Sequence, residues 1–284
     1  MTLSIQRDTK ESVRFITETL NFPRSSFYDA GMETNRQAED RKIGDLIKAI
    51  FLSHKGRYGY RRIVSELADH GVECAPERVR RIMRERGLKA IQPKRTVPVT
   101  SDGKASRPAP NLLENKEFPT EEDAVWAGDI TYIPTVSGWT YLAVVIDLFS
   151  RRVIGWSLAD NMRSELVIAA LNQALQTRTP TQNLIFHSDR GSQYGSSAFR
   201  DLLKSSGITQ SMSGKANPYD NAWTESFMGT LKLEEVQDQI YEDEDTARKS
   251  LFQYIDGYYN TRRKHSSIDY MTPIQFENQT LTIN

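Results

Sequence analysis

Residues 124–158 read AVWAGDITYIPTVSGWTYLAVVIDLFSRRVIGWSL, and this stretch decides the fold. Trp139–Asp147 (WTYLAVVID) is a run of aromatic and branched residues, the pattern of a buried strand. Ala124–Pro134 reads as a strand before it. Arg152–Leu158 (RVIGWSL) reads as its neighbour across a turn at Leu148–Arg151. The period then lengthens: Leu166, Ile168, Ala169, Leu171 and Leu175 predict a helix over Ser164–Gln176. A short apolar strand, Asn183–His187, runs into Ser188-Asp189-Arg190-Gly191. A helix at Ser196–Ser206, a strand at Ile208–Ser211, a loop at Met212–Asp220 and a helix over Asn221–Glu235 follow. The order βββ-α-β-α-β-α predicts an α/β layered core, its mixed sheet holding three antiparallel strands and later parallel ones.

Upstream of this core the chain is helical and basic. Val13, Ile16 and Leu20 have helical spacing, and Arg24–Tyr28 reads as the fragment of a helix-turn-helix or as a plain helical cap. Ile43, Leu46, Ile47, Ile50 and Phe51 form one apolar face of a helix over Arg41–Ser53. Gly56-Arg57-Tyr58-Gly59-Tyr60 breaks it, and a second helix with Ile63, Val64 and Leu67 inward ends near Gly71. Pro76 starts a third helix and Gly87 ends it, with Val79, Ile82 and Met83 facing a core.

Arg78, Arg80, Arg81 and Arg84 ring the other sides of that third helix, and Arg57, Arg61 and Arg62 join them across the turn. The pattern reads as a helix-turn-helix unit with an arginine-rich recognition helix, since a guanidinium fork pairs with phosphates or guanine edges. A solvated helix face is the competing reading. Charge distribution favours DNA: Arg36–Arg107 holds 18 Lys and Arg against 9 Asp and Glu, although the whole chain sums to zero. Pro93–Phe118, rich in Pro, Ser, Lys and Asn, reads as a linker. The expected division is a helical segment at 1–35, a helix-turn-helix domain at 36–92, a linker at 93–118, a catalytic core at 119–236 and a helical extension at 237–284.

Composition narrows the class further. No apolar run approaches the roughly 20 residues needed to cross a bilayer, and Met1–Lys10 lacks the apolar core of a secretion signal. A single cysteine, Cys74, excludes an internal disulfide and suits a reducing, cytoplasmic setting. Four scattered histidines with that cysteine exclude a His/Cys zinc module.

Three acids stand out. Asp129 lies in a predicted strand between Gly128 and Ile130, where an acid must be paired, liganded or at an edge. Asp189 stands just past a second strand, where open α/β sheets place ligand-binding groups. Glu225 opens a late helix, and Lys232 follows two turns along the same face. The intervals are 59 and 35 residues. Phosphodiester transfer puts charge on both entering and leaving oxygens, and hard cations held by carboxylates stabilise both.

Trp126–Tyr132 (WAGDITY), His187–Gly191 (HSDRG) and Asp220–Phe227 (DNAWTESF) resemble the catalytic blocks of DDE transposases and retroviral integrases. The 35-residue interval and the following lysine belong to that pattern. With Arg57–Arg62 (RYGYRR), Trp139–Asp147 and Tyr259–His265 (YNTRRKH), the chain resembles the insertion sequence 3 family, in its second-reading-frame (OrfB-type) product.

The resemblance covers about residues 12–278. It implies a ribonuclease-H-like core with a mixed five-stranded sheet flanked by helices, behind the all-helical helix-turn-helix region. It also implies Asp129, Asp189 and Glu225 as catalytic ligands of two Mg²⁺ or Mn²⁺ ions, with cleavage and strand transfer on double-stranded DNA, both element ends and target. A homo-oligomer, a first-reading-frame protein or fusion as partner, and a bacterial, nucleoid-associated location follow from it too. No heptad run is seen, so the chain resembles the second-frame part alone. A catalytically silent DNA-binding accessory protein is the alternative, against which the three intact acids weigh.

Other polar residues read as structural: Asp147 as a turn acid, His187 as a packing or supporting residue, Asn221 as a helix cap, and Asn260 and His265 as scaffold. Ser188 and Ser192 lack a base partner for nucleophilic work.

Overall fold

The computed structural model describes residues 11–21, 23, 34–92, 108–114, 118–179, 183–214 and 222–283. The chain divides into two compact units, residues 1–90 and 91–284.

In the first unit, α1 (Val13–Thr19) is capped by Ser12, whose hydroxyl accepts from Phe15 N. The Arg24–Tyr28 fragment lies outside the described residues. α2 (Asn35–Ser53) starts earlier than its apolar face predicts, because Thr34 and Gln37 form a reciprocal capping box. α3 (Tyr60–Asp69) and α4 (Pro76–Glu85) pack against α2 around Ile47, Tyr58, Ile63, Leu67, Val79 and Ile82. Pro76 sits in the first turn of α4, and Gly71 and Gly87 adopt the positive φ that ends α3 and α4.

The second unit is built on a five-stranded sheet of order β3-β2-β1-β4-β5. β1 (Val125–Thr135), β2 (Gly138–Asp147) and β3 (Val153–Ala159) pair antiparallel, and β4 (Ile185–Ser188) and β5 (Thr209–Met212) add in parallel. This is the mixed sheet that the element order predicts, with the five strands that the family resemblance implies.

β2 explains its own sequence. Leu142, Val144 and Ile146 join a core beneath α7 (Ala222–Leu231) and α8 (Glu244–Tyr254). Ala143 and Val145 join the opposite core beneath α5 (Ser164–Thr177) and α6 (Ser197–Ser205). A strand covered on both faces has no polar side to display, hence the unbroken apolar run. α5 approaches β3 closely at Gly155, where a Cβ would come within 2.7 Å of Ala174 N.

Two helices depart from the α-helical expectation. After Leu231 the chain enters a π-helical turn, Lys232–Val236, and after Tyr254 another, Ile255–Tyr259. The side chain of Asn260, just beyond the second turn, bonds both backbone groups of Val153 on β3, accepting at 3.0 Å and donating at 2.9 Å. At the opposite edge, Pro110 O accepts from Met212 N of β5, and Leu112 N donates to Ser211 Oγ. α9 (Pro273–Ile283) closes the unit. Most of the predicted linker lies outside the described residues.

Buried charge also ties the C-terminal segment to the sheet. Glu277 of α9 accepts from Ser150 and Arg152 and pairs with Arg178. Glu234 of the first π turn receives Arg263 Nε and Nη2, with the Tyr254 hydroxyl as a further donor at 2.9 Å.

Candidate active site and DNA-facing surface

Parallel register places the first two acids. Gly128 of β1 pairs with Ser188 of β4, where β4 ends, so Asp129 is the next residue on β1 and Asp189 the first residue beyond β4. Neighbouring strands lie about 4.8 Å apart. At Gly128 the Phe186 ring fills the space a side chain would take: a Cβ there would come within 2.6 Å of Phe186 Cζ.

Asp189 is fixed by a tight turn, its Oδ1 accepting from Gly191 N at 2.9 Å. Arg190 Nε donates to Ser213 O at 2.8 Å, tying this turn to the residue after β5. Asp129 is half-buried, and its Oδ1 accepts from Ile130 N at 2.8 Å. Glu225 lies in the first turn of α7 with its side chain exposed.

Electrostatics shows these groups share one field. Burial pushes the Asp129 carboxyl up to about 7, and Asp189 and then Glu225 push in the same direction. The Ile130 amide and Lys232 oppose them without cancelling them. Lys232 opens the π turn; its Nζ stands 4.2 Å from the Tyr132 ring centroid, and burial lowers its pKa while Asp129 raises it. The structure therefore brings Asp189, Glu225 and Lys232 into the surroundings of Asp129. Among the described residues, no three His, Cys, Asp or Glu side chains stand ready-made as a metal cage. The donor chemistry nonetheless fits a hard divalent cation: carboxylate oxygens, one of them desolvated and left in excess negative charge.

The helix carrying Glu225 is held by a residue that sequence reading treated only as a turn neighbour. Arg151, at positive φ (66°), places its guanidinium 4.7 Å from the Phe118 ring and 5.8 Å from Trp223. Trp223 precedes Glu225 by two residues. Tyr194, five residues beyond Asp189, is a second such residue; its ring packs with Phe186 and Phe199 in a three-ring cluster. Tyr194 lies three residues past the His187–Gly191 block, so no motif gave a signal for it. Arg151 offered none beyond its place in the turn.

The residues read as structural sit in structural surroundings. Asp147 is fully buried and accepts from Asp123 N and Ser150 N, while burial pushes its carboxyl up to about 6. His187 is buried with Nδ1 2.9 Å from Ser211 Oγ, and Ser188 Oγ donates to Asp189 O. His265 is bridged to Met271 and stacks edge-on against Tyr259. Asn221 lies outside the described residues.

The arginines of the first unit divide. Arg57 is buried, so the surface reading of this residue is corrected: its side chain is enclosed by the fold. Arg78 and Arg81 both bond Asp40 of α2, and Arg78 also reaches Glu39. Arg81, then Arg78, hold the Asp40 carboxyl below its ordinary range. Arg62 is half-buried over the Tyr58 ring. Arg61, Arg80 and Arg84 are exposed, with Arg61 and Arg80 flanking the Tyr60 ring at 5.6 Å and 6.0 Å.

Comparison with known proteins matches both units. Integrase core domain models match residues 119–218 and 206–273, and an HTH-like domain model matches residues 37–96. The chain is 42% identical over 244 residues to the transposase for insertion sequence element IS904 of Lactococcus lactis subsp. lactis strain IL1403, covering 86% of this chain and 96% of that one. It is 36% identical over 274 residues to transposase InsF for insertion sequence IS3A of Escherichia coli strain K12, covering 95% of each. The HTLV-2 integrase catalytic core domain in complex with magnesium (trimeric form) aligns at 21% identity and a TM-score of 0.41, over 54% of this chain and 95% of its own.

Proposed function

Since the chain belongs to the insertion sequence 3 family of transposases, as its second-reading-frame product, we propose that it cuts and joins DNA strands at a divalent-metal site formed by Asp129, Asp189 and Glu225. One observation carries this reading. Parallel register sets Asp129 of β1 beside Asp189 just past the end of β4, and the charges of Asp189 and Glu225 add to the burial that raises the Asp129 carboxyl to about 7, an arrangement that invites a cation.

In this reading the three carboxylates hold Mg²⁺ or Mn²⁺, two ions per site. Bound there, the ions would supply charge neutralisation at the entering and leaving oxygens of a phosphodiester. The chain's own residues do the rest. The Gly128–Ser188 register holds Asp129 and Asp189 side by side, and α7 brings Glu225 in from a third element. Lys232, fixed over Tyr132, offers an ammonium to a DNA phosphate beside the acids. Arg61, Arg80 and Arg84 are the exposed guanidiniums available to a duplex, with Arg62 at the margin. Arg78 and Arg81 serve chiefly to join α4 to α2. Assembly on paired DNA ends as a homo-oligomer, and help from a first-reading-frame protein or fusion, belong to the same proposal.

The test is strand transfer with labelled, pre-cut element ends in Mg²⁺ or Mn²⁺, with Glu225→Gln as control. Joined products from the wild type alone support the reading. Equal joining by Glu225→Gln removes the site. Absence of joining, even when the first-frame fusion is added, leaves a silent DNA-binding protein.

A further inference from the structure

Tyr194 is 2% exposed, and its hydroxyl has no hydrogen-bond partner among the described residues. A buried donor without an acceptor opposes folding, so its retention asks for a use. The ring has little freedom to seek a partner elsewhere. Phe186 and Phe199 flank it with centroids at 6.1 Å and 5.4 Å, and Gln210 Nε2 donates to the Tyr194 carbonyl at 2.7 Å.

Two glycines show where the hydroxyl points. A Cβ on Gly191 would lie 3.6 Å from Tyr194 Cδ2 and 3.0 Å from Asp189 Oδ1. A Cβ on Gly128 would lie 3.2 Å from the Tyr194 hydroxyl oxygen. The ring thus runs from the Asp189 turn toward β1, and the hydroxyl ends beside Gly128, the residue before Asp129.

We propose that Tyr194 is a positioning residue of the acid cluster, whose hydroxyl would donate to a carboxylate oxygen of Asp129 or Asp189 when those carboxylates hold a divalent cation. The inference deepens the metal-site reading above and rests on it. Burial, then Asp129 and Asp189, hold the phenol far above its ordinary pKa, so it stays a donor throughout the neutral range. A second ligand-orienting bond of this kind fixes the rotamer of an acid that otherwise has one short backbone partner.

The experiment compares full-length wild type, Tyr194→Phe and Asp189→Asn. Mn²⁺ affinity is measured by titration calorimetry, and thermal unfolding is followed in metal-free buffer. Tyr194→Phe keeps the ring and deletes the idle donor. It should melt at or above the wild-type midpoint without metal, yet bind Mn²⁺ about 10-fold more weakly. Raising Mn²⁺ should then restore its strand transfer, whereas Asp189→Asn should not recover. Wild-type Mn²⁺ affinity in Tyr194→Phe, with Asp189→Asn impaired, overturns this proposal alone. A clearly lower metal-free midpoint in Tyr194→Phe also overturns it, because the hydroxyl would then already be bonded in the fold. Undiminished Mn²⁺ binding by Asp189→Asn removes the metal site, and the proposal falls with it.

Discussion

Gly128 and Ser188 are register partners at the last matched step of two parallel strands, and the residue after each is an aspartate. Nothing local brings Asp129 and Asp189 together; 59 residues lie between them. Their proximity follows from the sheet, and so does its energetic consequence, an acid whose ionisation is disfavoured in the folded state.

That consequence has a sign. The Asp129 carboxyl rises from 3.8 to about 7 on folding, so between those values the folded chain holds a proton that the unfolded chain has lost. Its contribution to stability is complete below about pH 4 and disappears as pH rises through 7. Asp129→Asn should therefore unfold at higher urea than wild type at pH 8 without metal, by about 1–3 kcal/mol, and should gain nothing from added Mg²⁺. Equal urea midpoints at pH 8 would contradict the burial cost assigned to this carboxyl.

Lys232 acts on the same group from the other side. Because its ammonium lowers the Asp129 pKa, Lys232→Met should raise it further. The pH midpoint of Mg²⁺ binding should move upward by about half a unit to one unit. A calorimetric pH series on wild type and variant measures this, and a downward shift would contradict the arrangement.

The Glu234–Arg263 pair is a scaffold element, with both side chains almost fully enclosed. Arg263→Met takes the guanidinium away from a buried carboxylate that also accepts from the Tyr254 hydroxyl, and should cost about 3–5 kcal/mol in urea unfolding. Adding Glu234→Gln should recover a substantial part of that loss. A double-mutant cycle showing simple additivity would rule out the coupling.

The arginines of the first unit should separate by function. Single Arg61→Ala, Arg80→Ala and Arg84→Ala changes should each weaken duplex binding and reduce the salt slope by about one unit. Arg78→Ala should leave that slope nearly unchanged and instead lower the melting temperature slightly, because its partners are Glu39 and Asp40. Fluorescence anisotropy across a salt series distinguishes the two classes.

Features with a short period or a local signature were legible in the sequence. The unbroken run of β2 announced a strand covered on both faces, and Pro76 and Gly87 bracketed α4. The three acids were visible as block members, and the structure sets Asp189 and Glu225 in the electrostatic surroundings of Asp129. Long-range pairings were not legible. Ser150 and Glu277 are 127 residues apart, and neither lies in a pattern that implies the other. The start of α2 was misplaced because its capping box lies outside the apolar stripe. The surface reading of Arg57 failed because charge alone does not reveal burial. The π turns at Lys232 and Ile255 add a residue to a helical turn without an obvious marker in composition.

The double bond from Asn260 to Val153 has a consequence for assembly. A primary amide offers one acceptor and one donor side by side, as a peptide group of a neighbouring strand would, and Val153 lies on an outer strand. Asn260 therefore stands in for a sixth strand at that point, while Pro110 and Leu112 occupy the opposite margin at Met212 and Ser211. Both margins of the sheet are thus engaged at these positions, which leaves less open backbone there for an added strand. An added strand would have to displace Asn260 at one margin, or the Pro110–Leu112 segment at the other, before it could pair at these positions.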